Sequence, residues 1–218
     1  FNGLLASSFK VDNNFEINRF DAIIPSQVDA LLLKQKLRWN YPWKGEVTDF
    51  ATGLTKRAYV TARPKARIAT ALSHYSLWLE AATLNETILV LEHDSCFINK
   101  LDIDPNACKG QIIGINNPLG CTRKSRVYHH KITSNQNIFQ LAPKVDNENV
   151  PQGLAGNSAY IIKPSGAIKM LKLVEEFGLW PNDAIMCKQL FPNLYVTQKF
   201  YTTIPVSYTH LRAHETKA

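Results

Sequence analysis

The chain has 218 residues, 45% hydrophobic and 20% charged, with a formal charge of +7. This is chain enough for one α/β domain with a buried core, and the balance is that of an ordinary globular protein. No apolar run reaches the roughly 20 residues that a membrane helix needs: even the uncharged stretch over residues 68–79 carries Ser73, His74 and Ser76.

Residues 19–24 read as a short strand, and Pro25 and Ser26 open a helix to about Leu37 with Val28, Leu31, Leu32 and Leu33 on its apolar face. Residues 38–65 read as a long irregular segment in which Arg38, Trp39, Tyr41, Trp43 and Lys44 interleave basic and aromatic side chains. A segment of that length in a compact domain is usually functional or mobile. A second helix is expected over residues 66–84, where Ile68, Ala71, Leu72, Tyr75, Trp78, Leu79 and Ala82 recur on one face.

The run Thr87-Ile88-Leu89-Val90-Leu91 reads as a strand buried on both faces, as at the centre of a parallel sheet. Residues 111–115 form a weaker strand, and 116–157 read as polar loop punctuated by proline and glycine. A strand over 159–162, a helix from Pro164 to near Gly178, a short helix over 182–190 and a last strand over 194–197 follow. The alternation predicts one α/β domain over residues 1–205 with a mostly parallel central sheet. Residues 206–218 resemble a peptide that ends many unrelated translated sequences, and are expected to be a non-native tail.

The four cysteines (Cys96, Cys108, Cys121 and Cys187) show no C-x-x-C spacing and read as free thiols of a reducing compartment. No secretory signal is visible, in a chain that begins at Phe1. The basic balance points to an anionic partner, with nucleic acid, phosphorylated glycan, lipid headgroup and nucleotide sugar all qualifying.

The strongest local signal is the strand end Leu91-Glu92-His93-Asp94. Parallel sheets bind ligands at the carboxyl ends of their strands. Along an extended chain Glu92 and Asp94 share one side and His93 takes the other. Paired carboxylates suit Mg²⁺ or Mn²⁺, which neutralises a departing diphosphate. The same residues could instead cap a helix or pair with lysine or arginine.

Several segments together resemble one family. Residues 66–78, ending in Ser73-His74-Tyr75-Ser76-Leu77-Trp78, resemble the G-x-x-G-C-x-x-S-H-x-x-x-W helix of glycosyltransferase family 25, which includes lipopolysaccharide sugar transferases and collagen galactosyltransferases. Residues 88–94 resemble its I-L-V-L-E-D-D strand, and Gly156-Asn157-Ser158-Ala159-Tyr160 opens a segment similar to its G-x-x-A-Y-x-I-s-x-x-G-A. Pro181-Asn182-Asp183 matches a later P-x-D, and residues 15–22 an early f-e-x-x-r-f-d-A. The sequence departs from the pattern at His93, where the family has an acid, and at Ala69-Thr70, where it has Gly-Cys. The family's opening strand has no counterpart after Phe1.

The resemblance implies a GT-A-like, Rossmann-related domain lacking its first strand and a nucleotide-sugar donor, usually a UDP-sugar. By position it implies Glu92 and Asp94 as ligands of Mn²⁺ or Mg²⁺, with Ser73, His74 and Glu92 on the donor side. Asn157 and Ser158 would line the cleft on the acceptor side, and Asp183 would be the general base of an inverting transfer. Asp183 could alternatively cap a helix, and Ser73 and His74 could serve the core. Trp39 and Trp43 are expected to serve the acceptor, a glycan or glycolipid. A modified base in DNA is the alternative acceptor, and a non-catalytic binding module the alternative function. The expected setting is cytoplasmic, or peripheral to a membrane.

Overall fold

A computed structural model describes residues 1–205. The expected non-native tail, residues 206–218, lies outside the described residues. The elements in order are α1 (Asn2–Lys10), a 3-10 turn (Pro25–Gln27) running into α2 (Val28–Lys34), the antiparallel hairpin β1 (Glu46–Asp49) and β2 (Leu54–Arg57), α3 (Pro64–Leu84), β3 (Ile88–Leu91) and β4 (Cys96–Phe97). Then come β5 (Ile112–Gly114), α4 (Ser125–Thr133), β6 (Phe139–Leu141), β7 (Ala159–Ile162), α5 (Pro164–Phe177), α6 (Asn182–Ile185), β8 (Leu194–Thr197) and β9 (Thr202–Thr203).

The two long helices have legible boundaries. Both α3 and α5 start with proline in the first turn, where a missing N–H costs nothing. The first ends at Asn85, which adopts the left-handed conformation at φ 55°. The second ends at Gly178 at φ 81°, where a side chain would meet the Asn40 Cβ at 2.8 Å. The two pack along each other and bury Trp78, Leu72, Met170 and Val174 against one face of the sheet.

The central sheet has the order β3-β7-β5-β8-β6. Only β5–β8 is parallel; β3–β7, β5–β7 and β6–β8 are antiparallel. The expected mostly parallel sheet is therefore corrected to a mixed, mainly antiparallel one. The physical reason is that an apolar run reports burial and not strand direction. The same limit misplaced β3, which stands at the sheet edge and is only half-buried, whereas β7 is the fully buried interior strand. Along β7, Tyr160 and Ile162 face the large core under α3 and α5. Ala159 and Ile161 face a smaller cluster with Ile113, Ile115 and Tyr201.

Other expectations change too. Residues 19–24 form no strand, and the helix after Gln27 ends at Lys34. The irregular 38–65 segment contains the β1–β2 hairpin, and the 116–157 loop contains α4 and β6. The helix expected over 182–190 is the single turn Asn182–Ile185.

Candidate active site

The ends of β3 and β7 are stitched together. The Glu92 N–H donates to the Ser158 carbonyl at 2.7 Å, the Ser95 hydroxyl donates to the same carbonyl at 2.6 Å, and the Ser95 N–H closes a turn onto the Glu92 carbonyl at 3.0 Å. The chain thus turns through 92–95 and is not extended there, so strand alternation does not govern these side chains. In that turn His93 is exposed, Glu92 half-buried and Asp94 buried.

Behind Glu92 lies a buried polar chain. His74 approaches the Glu92 Oε1 through Nε2 at 3.3 Å and the Tyr160 hydroxyl through Nδ1 at 2.8 Å. The Trp78 indole N–H donates to that same hydroxyl at 2.9 Å. The indole is a donor only, so the Tyr160 oxygen accepts from Trp78; with the His74 proton on Nε2, facing the acceptor-only Glu92 carboxylate, the Tyr160 hydroxyl donates to Nδ1. His74 then carries its proton on Nε2 and donates to the Glu92 carboxylate. Burial pushes the Tyr160 phenol far above its usual range, keeping it neutral. The spacing of Ser73-His74 and Trp78 on α3 therefore builds a proton-ordered support for one carboxylate.

Asp183 sits on α6, which is held close to the loop before β7. Gly153 approaches the Asp183 and Met186 carbonyls so closely that a Cβ would lie 3.0 and 2.4 Å from them. The Asp183 Oδ1 is fully shielded and has no hydrogen-bond partner. Burial raises the carboxyl above its ordinary range; the Arg67 charge opposes that, Glu92 adds to it, and a hydrogen bond with Tyr59 opposes it. Tyr59 is itself pushed well up, first by the Asp183 charge and then by burial. The Arg67 guanidinium lies 4.9 Å over the Tyr59 ring, and the Tyr41 ring stacks with Tyr59 at 5.8 Å. Sequence reasoning missed Tyr59, Arg67, Tyr160 and the polar role of Trp78.

Asn157 and Ser158 are 8% and 2% exposed, yet both amide atoms of Asn157 and the Ser158 hydroxyl lack hydrogen-bond partners. Buried polar groups left open are costly, and a ligand, an ion or water can supply the missing partners. Trp39 and Trp43 stack at 5.1 Å, and Trp39 meets Tyr41 edge-on at 6.5 Å. An aromatic row thus runs from exposed Trp43 through Trp39 and Tyr41 to Tyr59 beside Asp183. Ser73 is otherwise engaged. Its hydroxyl donates to the Ala69 carbonyl at 2.9 Å and accepts from the Ile23 N–H at 3.0 Å, tying the chain before α2 to α3.

The sequence matches the family model described as glycosyltransferase family 25 (LPS biosynthesis protein) over residues 5–186. The chain belongs to that family. It is a glycosyltransferase, with a sugar donor and an acceptor as its partners. No curated protein matches the chain. Among the described residues no helix is long and apolar enough to cross a membrane.

The donor set of this glycosyltransferase can be tested for a metal. Among the described residues no group of three His, Cys, Asp or Glu side chains is placed to hold an ion. Glu92 and Asp94 offer hard carboxylate oxygens, the chemistry Mg²⁺ and Mn²⁺ take, and such ions commonly use one or two carboxylates with substrate phosphates and water supplying the rest. The donor chemistry of Glu92 and Asp94 fits such an ion.

Proposed function

We propose that the protein transfers a sugar from a nucleotide donor, a UDP-sugar, to a hydroxyl of a glycan or glycolipid, with inversion at the sugar carbon. The observation that carries this reading is the Glu92 N–H bonded to the Ser158 carbonyl at 2.7 Å, which sets one carboxylate beside the open polar groups of Asn157 and Ser158, with the buried Asp183 carboxyl within range of its charge. The donor belongs at the end of β3, as in GT-A-like, Rossmann-related enzymes, and the parallel β5–β8 pair is the part of the sheet that supports that kinship.

Glu92 and Asp94 would hold Mn²⁺ or Mg²⁺, which supplies charge neutralisation for the departing nucleotide diphosphate. His74 holds Glu92 through its Nε2 proton. Asp183 accepts the proton of the acceptor hydroxyl at its shielded oxygen, where the raised basicity produced by burial suits the task. The nucleophilic oxygen then bonds to the sugar carbon as the bond to the diphosphate breaks. Asn157 and Ser158 find their missing partners in the hydroxyls of donor or acceptor. Trp39 and Trp43 receive an acceptor ring on the exposed Trp43 face.

The test is transfer from UDP-sugars with Mn²⁺ and after EDTA. Asp94→Asn should cost about a hundredfold in rate or more, roughly 2.7 kcal/mol, while His93→Ala, on an exposed side chain, costs much less. Full activity of Asp94→Asn, or activity unchanged in EDTA, would rule out the metal arm.

A further inference from the structure

The β1–β2 hairpin holds Phe50 at its tip 97% exposed. The turn that does so is firmly built. The Asp49 Oδ1 accepts from the Ala51 and Thr52 N–H groups at 3.0 and 3.3 Å, and the Gly53 N–H donates to the Asp49 carbonyl at 2.7 Å with Gly53 at φ 70°. The other Asp49 oxygen pairs with Lys56 at 2.5 Å, and both side chains are buried. A loose turn would let the ring fold back onto the protein; this one keeps it in water.

The hairpin borders a cationic recess. Arg57 of β2, with Arg123, Lys124 and Asp146, lines an open cavity of about 450 Å³. Residues 121–126 contain three basic side chains and no acidic one. The Thr55 N–H donates to the Asn149 carbonyl at 2.6 Å, tying the hairpin to this neighbourhood. Arg57 and Lys124 pair with Glu46 and Asp146 at 2.6 and 2.9 Å, but these pairs are solvent-exposed and exchange readily for other anions. Arg123 has no ion pair among the described residues.

One rigid apolar finger with exposed cations at its base, where Arg57 pairs across from Glu46, is poor material for a protein interface, whose core is a packed patch depleted in charge. It matches a bilayer boundary, where phosphates meet cations and a ring enters the acyl region. We propose that the β1–β2 hairpin docks the enzyme on an anionic lipid bilayer, with Phe50 in the acyl boundary and Arg57, Arg123 and Lys124 on headgroup phosphates. The stacked Trp39–Trp43 pair lies just before β1, so docking would bring the acceptor platform to the membrane surface. Only that consequence rests on the glycolipid reading; binding itself needs no turnover.

The experiment is co-sedimentation of the full chain with vesicles of phosphatidylethanolamine and phosphatidylglycerol, against phosphatidylcholine alone, in low and high salt. Binding to the anionic vesicles only, weakened by salt, is expected. Phe50→Ser should lower partitioning about tenfold or more, and Arg123→Glu by a similar factor, both with the wild-type melting temperature and unchanged UDP-sugar hydrolysis. In Phe50→Trp, added emission should shift to the blue and be quenched by brominated acyl chains, which tests the contact even if Phe50→Ser folds poorly. Equal binding by wild type and Phe50→Ser, no preference for anionic lipid, or a self-association removed by Phe50→Ser in place of vesicle binding would each overturn the proposal. Vesicle binding without sugar transfer would leave it standing and count against the functional reading alone.

Discussion

Tyr160→Phe removes one oxygen from a site where three side chains are at most 3% exposed. The Trp78 N–H and the His74 Nδ1 lose their common partner, at 2.9 and 2.8 Å respectively. Leaving a buried polar group unsatisfied costs about 1–3 kcal/mol, so two such groups give about 2–6 kcal/mol. For a domain of this size roughly 2–4 °C of melting temperature goes with each kcal/mol, and a fall of about 4–24 °C is expected. The mutation also removes the group that fixes the His74 tautomer, so that the proton facing Glu92 is no longer held on Nε2. Thermal unfolding gives the first number. Nitrogen NMR of the imidazole gives the second, with the wild-type proton on Nε2 and a mixed tautomer in the variant. A wild-type proton on Nδ1, or a variant as stable as wild type, would refute the proton order assigned to this chain.

Tyr59→Phe removes a hydrogen bond that lowers the Asp183 pKa. The groups facing Asp183 are Arg67, Glu92 and Tyr59, with Tyr41 behind, so the carboxyl should rise further and the acidic limb of kcat/KM should move to higher pH. Asp183→Asn should lose transfer yet melt higher at neutral pH. A carboxyl whose folded pKa is raised costs stability once the pH exceeds its unfolded value, and the gain should vanish in acid, where both states are protonated. Trp43→Ala should raise the acceptor KM roughly tenfold while leaving donor hydrolysis unchanged, as measured with a soluble sugar acceptor.

The helices α3 and α5 were legible because proline starts and a 3.6-residue apolar period are local signals. Strand direction was not, because the Ile88–Leu91 run satisfies an antiparallel edge as well as a parallel centre. Glu92 and Asp183 were recognisable from their motifs, but their surroundings were not. His74 meets Tyr160 across 86 residues, and Trp78 meets it across 82, so no spacing rule could join them. Tyr59 lies in no motif at all, and its place beside Asp183 depends on Arg67 of α3 and on the α6 turn. Ser73 matched its motif, yet its hydroxyl serves the packing of the Ile23 segment on α3.

In the proposed reaction Asp183 takes the acceptor proton during an inverting transfer. The direct measurement is product formation from an α-linked UDP-sugar and a soluble acceptor, with the new anomeric centre read by proton NMR, for wild type and Asp183→Asn. A β-linked product from the wild type is expected, with a loss of about a hundredfold or more in kcat for the variant at an unchanged donor KM. An α-linked product, or a variant that turns over at the wild-type rate, would contradict it.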